Sequence, residues 1–274
     1  MNRNNLIGVL MRYFVVDAFA EKVFEGNPAG VCIMKEWLPT ELMEKIAAEN
    51  NLSETAFAVK EGNTYGLRWF TPAGEIDLCG HATLGASYIL FNFYEKELDV
   101  IHFHTKQKGY HLTVRRKTDT IEMDFPMIPP EKYELYDYMT EALGAIPAEV
   151  YKTERDLIFV FDSESTITDL RPDFSKLKAF PVGLNAFVTA RSNNEDYDFV
   201  VRTFWPKINI NEDPVTGAAF CCLIPFWQWR LNKTKMVARQ VSARGGTVCC
   251  EYFEDYVKIG GKCSLYLKGE ISIR

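Results

Sequence analysis

Two stretches of the chain carry reactive residue types at matched spacing. Residues 68–86 read RWFTPAGEIDLCGHATLGA, and residues 202–220 read RTFWPKININEDPVTGAAF. Each begins Arg-x-Phe-x-Pro, and a polar reactive side chain stands at the same distance beyond. Arg68, Phe70, Pro72 and Cys79 match Arg202, Phe204, Pro206 and Asp213 without a gap. After Cys79 or Asp213, each copy passes through small residues into an apolar run, the pattern of a strand, a loop and a helix start. Two such copies, about half a chain apart, imply a pseudo-symmetric protein with a site between its halves. Chance matching is the alternative.

A helix start is a chemical feature in itself. Its first-turn N–H groups lack intrahelical partners and carry partial positive charge. Small residues there, Gly80 in one copy and Gly217-Ala218 in the other, would let an anion approach the backbone. Two such ends facing each other would grip a small carboxylate or a developing oxyanion. Asp213 as a plain N-cap and the glycines as plain turns are the simpler account, and capping explains Asp213 well. It explains less of the duplicated block. Cys79 sits where a helix start lowers a thiol pKa and could act as an acid/base. Its match is Asp213 rather than a second cysteine, so these two positions do not form a two-thiol pair. His81 is the one histidine beside this site and could donate to a substrate or move a proton. Glu54, in the polar patch Asn51-Leu52-Ser53-Glu54-Thr55, is either a surface residue or, if it faces the cleft, a proton shuttle.

These residues need elements to place them. Residues 12–19 read as a strand, Asn27-Pro28-Ala29-Gly30 as a turn and 31–34 as a strand. A helix over 41–50 with Thr40 as N-cap follows, then strands at 56–59 and 65–70. Residues 80–93 are apolar on most sides, as expected of a central helix. Strands follow at 98–104, 109–116 and 120–125, and the Pro129-Pro130 stretch reads as the link between halves. The second half repeats the alternation. A short helix at 136–143 and strands at 156–161, 186–190 and 198–204 lead to an apolar helix over 218–229. Pro225 should kink or shorten that helix. Strands at 239–241, 247–253, 256–259 and 264–273 close the fold. A twisted sheet curled around each apolar helix buries both at once.

The chain has 274 residues, enough for one large or two mid-sized domains, with 47% apolar and 25% charged residues and a net charge of −6. That charge and the lack of a basic stripe argue against a nucleic-acid partner. Arg115, Arg116 and Lys117 read as solvated turn flanks. Seven cysteines, two pairs of them directly adjacent, do not make a disulfide framework and suit a reducing, cytoplasmic setting. The four histidines form no zinc signature, and His102 and His104 read as surface residues of one strand. No secretory signal stands out, the first ten residues read as a loose extension, and no apolar run approaches the ~20 residues of a membrane span.

The segments NLSETAF (51–57), FTPAGEIDLCGHATLGA (70–86), NEDPVTGAA (211–219) and RGG (244–246) resemble the phenazine-biosynthesis PhzF-like family. That family is itself similar in fold to diaminopimelate epimerase. The resemblance runs from Tyr13 to Ile273. It implies an α+β protein of two pseudo-symmetric domains, each a mostly antiparallel β-sheet rolled around a central helix, with the active site in the cleft. The domains would span 11–128 and 129–274, with the last strand of the chain a candidate to complete the first. The family's characterised chemistry is cofactor-free isomerisation, in which a proton moves between carbons of a cyclic dihydro-hydroxyanthranilate. Its catalytic glutamate falls on Glu54, its site histidine and aspartate on His81 and Asp213, and its glycine on Gly80. Cys79, Gly80, Gly217 and Ala218 are the expected substrate-binding positions. A small carboxylate-bearing metabolite, a homodimer, and neither cofactor, metal nor membrane complete the expectation. Two departures stand out. The family pattern DPVTGSAH here has Ala218 in place of serine and Phe220 in place of histidine. A racemase or epimerase using Cys79, or a non-catalytic binding module, are the competing readings.

Overall fold

Strand-forming runs of β-branched and aromatic residues alternate with turns along the chain, and a computed structural model shows how they assemble. It describes residues 9–106 and 109–273. Of the expected leading extension, residues 1–8 lie outside the described residues, while Val9 and Leu10 already belong to the first strand. The first half contains β1 (Val9–Ala18), β2 (Asn27–Met34), α1 (Thr40–Asn50), β3 (Glu54–Glu61), β4 (Thr64–Thr71), β5 (Gly74–Ile76), α2 (Gly80–Ile89), β6 (Val100–Thr105), β7 (His111–Arg116) and β8 (Ile121–Pro126). The second begins with β9 (Glu131–Tyr133), α3 (Asp137–Leu143), β10 (Glu149–Lys152), β11 (Asp156–Val160), α4 (Glu164–Asp169) and α5 (Phe174–Lys178). It continues with β12 (Asn185–Arg191), β13 (Phe199–Trp205), β14 (Ile210–Asp213), α6 (Gly217–Leu231), β15 (Lys235–Gln240), β16 (Gly246–Tyr252), β17 (Tyr256–Gly261) and β18 (Cys263–Ile273).

The two halves pair their strands in the same pattern. β2–β3 and β11–β12 are parallel, and β3–β4 and β12–β13 antiparallel. β4 then pairs antiparallel with β5 and parallel with β6, as β13 does with β14 and β15. Two antiparallel steps follow in each half, β6–β7–β8 and β15–β16–β17. β8 and β17 join the halves antiparallel, and β18 returns to run along the whole of β1.

Each sheet wraps an apolar helix. α2 packs on β1, β2, β3 and β8, and α6 on β16 and β17. His81 through Ser87 are all buried in α2. The polar Thr83 and Ser87 are tolerated because their hydroxyls donate to the carbonyls of Cys79 and Thr83, at 2.6 and 2.7 Å. A π-helical turn, Leu90–Tyr94, extends α2. Pro225 does not end α6, which runs on to Leu231. A proline lacks the N–H that would bond the carbonyl four residues back. The freed Cys221 carbonyl instead accepts from Ile128 N, at 3.0 Å, in the segment between the halves. Thr40 is not the cap of α1. Pro39 holds that position, and Thr40 is the first helical residue, its hydroxyl accepting from Arg68. No helix among the described residues is long and apolar enough to cross a membrane.

The structure also re-registers the two matched stretches. Arg68 forks onto Glu75, seven residues on, at 2.6 Å to each carboxylate oxygen. Arg202 forks onto Glu212, ten residues on, at 2.7 and 2.9 Å. Each guanidinium also lies over the phenylalanine two residues along, Phe70 or Phe204. The second copy is therefore three residues longer between fork partners, and the 3-10 turn Pro206–Ile208 takes up the difference. Counting back from the helix starts, Cys79 corresponds to Thr216, not Asp213. His81 corresponds to Ala218, and Asp213 to Ile76.

Arg202 is buried and also donates to the carbonyls of Ile167 and Leu170, at 2.9 Å each. Removing one member of a buried pair strands the other. Arg202→Met should lower unfolding free energy by about 3–5 kcal/mol in urea titration. A loss below about 1 kcal/mol would show the fork to be dispensable.

Candidate active site

The starts of α2 and α6 meet. A Cβ added to Gly80 would lie 3.6 Å from the Cα of Gly217, and one added to Gly217 would lie 3.5 Å from the Cα of Gly80. The two first turns thus abut and bring their unpaired N–H groups to one place. Glu54, Gly80, Asp213 and Ala218 keep partial exposure there while most of their neighbours are buried.

His81 stands in the first turn of α2, buried. Its Nε2 lies 3.0 Å from Glu54 Oε2 at the start of β3. Apart from each other, neither atom has a hydrogen-bond partner among the described residues. Its Nδ1 lies 3.5 Å from Cys79 Sγ and 3.3 Å from Asn27 Nδ2. Asn27 uses its amide hydrogens on Asp213 Oδ1, at 2.8 Å, and on the Val215 carbonyl, at 2.9 Å. Its own oxygen accepts from Ser53, at 3.3 Å. Asn27 thereby ties together the entries to β2, β3 and α6. The other Asp213 carboxylate oxygen accepts from the Thr216 hydroxyl.

Burial penalises the charge on Asp213 and, with Glu54 nearby, outweighs His81 and the hydrogen bonds. Its carboxyl is pushed from 3.8 up to about 6. Burial works against the His81 imidazolium, but Cys79 and Glu54 outweigh it, so the His81 pKa is raised well above its ordinary value. Burial, aided by Glu54, raises the Cys79 thiol, and the opposing effect of His81 is too small to reverse this. The helix start does not give Cys79 a lowered pKa.

The candidates from sequence, Glu54, Cys79, Gly80, His81, Asp213, Gly217 and Ala218, all lie at this junction. Phe220 does not. It is fully buried against Phe199, so the histidine-to-phenylalanine difference belongs to the core. His104 pairs with Glu61 at 2.8 Å, and His102 meets Thr113 at 3.2 Å. Glu54, Cys79 and His81 offer ligand atoms within 4.8 Å of one another. Cys79 faces Nδ1 and Glu54 faces Nε2, however, so an ion on either nitrogen has one of the two groups on the far edge of the ring. All seven cysteines are free.

Asn27, Thr216, Thr203 and Gln240, which hold Asp213, carry no distinctive signal in the sequence. Asn27 was visible only as a turn residue before proline. Arg244, of the RGG segment, donates to the Gly26 and Glu25 carbonyls and to Asp17, at 2.8, 3.0 and 2.8 Å. It fixes the loop that delivers Asn27. Gly26 has φ +65, and a Cβ there would lie 2.0 Å from the Ala18 carbonyl oxygen, so only glycine fits. A cavity of about 400 Å³, lined by Ile128, Glu131, Tyr133 and Asp156 among others, contains none of the site residues.

Two sheet-wrapped helices meeting start to start over acid and base groups define a two-domain, diaminopimelate epimerase-like α+β protein. The chain belongs to the phenazine biosynthesis-like (PhzC-PhzF) family, whose model matches residues 16–269. A PhzF family protein of Enterococcus faecalis, solved by crystallography, is 50% identical with a TM-score of 0.93, covering 97% of this chain and 100% of that one. A PhzC/PhzF protein of Clostridium difficile is 46% identical with a TM-score of 0.90, covering 96% and 100%. An uncharacterized isomerase of Pseudomonas aeruginosa is 46% identical over 260 residues, 95% of this chain and 98% of that protein.

A carboxyl that binds its proton more tightly in the folded than in the unfolded state stabilises the fold while protonated. For Asp213 that contribution is complete below 3.8 and is lost as pH rises through about 6. Asp213→Asn cannot ionise. It should therefore be more stable than wild type at neutral pH by about 1–3 kcal/mol, with the gap closing toward about pH 4. Urea unfolding across pH measures this, and a gap independent of pH would rule out a titrating Asp213.

Proposed function

We propose that the chain is a cofactor-independent isomerase that moves a proton between carbons of a small, carboxylate-bearing substrate. The observation that carries this reading is the Glu54–His81 contact at the junction of two helix starts. A buried polar atom without a hydrogen-bond partner calls for an explanation, and a catalytic role is one. Glu54 Oε2 and His81 Nε2 are two such atoms, 3.0 Å apart. In this reading the two domains are residues 11–128 and 129–274, and the cleft between them admits the substrate.

The substrate's anionic group rests on the N–H groups at Gly80–His81 and Gly217–Ala218, which need no reorganisation to receive it. Glu54 takes a proton from the acidic C–H and returns it, or its equivalent, to a second carbon. His81, favoured in its charged form, stabilises the negative charge that develops between the two steps. Asp213 orients an amine or hydroxyl and can itself exchange a proton. Ala218 offers no hydroxyl where the family pattern has serine, so substrate contacts there come from the backbone alone. The homodimer and the absence of nucleic-acid and membrane partners remain part of this proposal.

A racemase built on Cys79 is less well supported. The thiol is buried, its pKa is raised rather than lowered, and its counterpart in the other half is Thr216. A binding module without chemistry would hold a ligand without exchanging its hydrogens.

Small carboxylates with an activated C–H, incubated with the protein in D₂O, should gain deuterium detectable by NMR. Glu54→Gln should slow that exchange by about 10²–10⁴-fold. Undiminished exchange in Glu54→Gln, combined with loss of exchange on alkylating Cys79, would replace the isomerase by the thiol racemase.

A further inference from the structure

We propose that Thr203, Thr216 and Gln240 form a reversible hydroxyl relay that lets Asp213 hold or release a proton with every buried partner still paired. All three residues are buried, Thr203 and Gln240 completely. Gln240 is pinned at both ends of its amide. Its oxygen accepts from Thr216 N at 3.0 Å, and its nitrogen donates to the Asp213 carbonyl at 2.7 Å and to Thr203 Oγ1 at 3.0 Å. Thr203 Oγ1 lies 2.6 Å from Thr216 Oγ1, which bonds the Asp213 carboxylate.

A hydroxyl has one hydrogen and can accept as well as donate. With Asp213 ionised, the hydrogens run one way: Gln240 to Thr203, Thr203 to Thr216, Thr216 to Asp213. With Asp213 protonated they can run back. The carboxyl donates to Thr216, Thr216 to Thr203, and the Thr203 hydrogen turns to the Asp213 carbonyl oxygen, 3.5 Å away. Gln240 donates to Thr203 in both states. Only the Asp213 O–H bond is made or broken, its proton coming from and returning to a ligand or water in the cleft. The threonine hydrogens merely rotate. A fixed donor in place of Thr216 would suit the carboxylate alone.

The charged groups facing Asp213 are His81 from α2 and Glu54 from β3. The adjacent Glu212 is neutralised by Arg202, and β2 contributes only the neutral amide of Asn27. A carboxyl pushed up to about 6 populates both states near neutral pH. Thr203, Thr216 and Gln240 are thus positioning residues acting through Asp213. Their catalytic meaning rests on the isomerase reading, but the test needs no substrate.

The test is a pH titration of the full chain carrying ¹³C-labelled aspartate carboxyls, with the Asp213 signal assigned by its loss in Asp213→Asn. Thr216→Val removes the donor to the carboxylate and should raise the Asp213 midpoint by about 0.5–1 pH unit. Thr203→Val removes the acceptor that the protonated state needs and should lower it by a similar amount, about 0.5–1 unit. Thr216→Ser and Thr203→Ser should restore the wild-type midpoint. Should Thr203→Val fail to fold, Thr203→Cys, a poorer acceptor of similar size, carries the same expected sign. Shifts of the same sign in both valine variants, or unmoved midpoints, overturn the relay. Opposite shifts in a protein that exchanges no substrate hydrogen uphold the relay and sink only the isomerase reading.

Discussion

Two helices with almost no polar side impose the architecture. Every residue of α2 from His81 to Ser87 is buried, and α6 buries Ala219 through Ile224 without interruption. A flat sheet covers one face of a helix and leaves the other wet. Only a sheet that curls around the helix removes this surface from water, which is why each half devotes so many strands to a single central helix. A wrapped helix still has ends. The first-turn N–H groups cannot be buried unpaired, so both helices surface where the halves meet, and Gly80 and Gly217 let them come into contact. The meeting of the two helix starts follows from the packing as much as from the chemistry.

The two halves share one frame, and three additional residues in the second break it. The Arg68–Glu75 and Arg202–Glu212 forks are equivalent, as are the parallel and antiparallel steps on either side. Between fork partners the second half has the extra turn Pro206–Ile208. Beyond it the halves carry different side chains at equivalent places. His81 stands where the second half has Ala218, and Asp213 takes the place held by Ile76 in the first half. One half thus brings the imidazole and Glu54, the other the carboxylate and its hydroxyl partners. Asn27 spans the two, bonding Asp213 while lying beside His81.

The helix starts, the apolar helices and the duplicated strand-to-helix junction were legible because short sequence periods and local turn chemistry dictate them. The register of the duplication was not. Three identities at constant spacing, Arg, Phe and Pro, align Cys79 with Asp213, whereas the length difference lies in residues that share no side-chain type. The hydrogen-bond partners of Asp213 were also invisible. Thr203 and Gln240 are 10 and 27 residues away in the chain, and a buried threonine on a strand looks like any other β-branched residue. Pro225, expected to kink or shorten α6, does not shorten it, for a related reason. A proline's cost to a helix depends on what takes the freed carbonyl, and here that is Ile128, nearly a hundred residues earlier.

The clustering of ionisable groups bears on what such a site can admit. Glu54 and Asp213 already place two carboxyls beside one imidazole, and a carboxylate substrate would bring a third. Like charges in a poorly solvated site repel strongly, so an anion binds there only if one carboxyl yields its charge or the backbone compensates. Both means are present. Asp213, pushed up to about 6, can take a proton as the ligand enters. The abutting helix starts supply positive potential that needs no counter-ion and does not titrate. His81, whose pKa is raised well above its ordinary value, favours positive charge beside Glu54. In the proposed isomerase these shifts let an anion sit within reach of Glu54, the group that takes its proton.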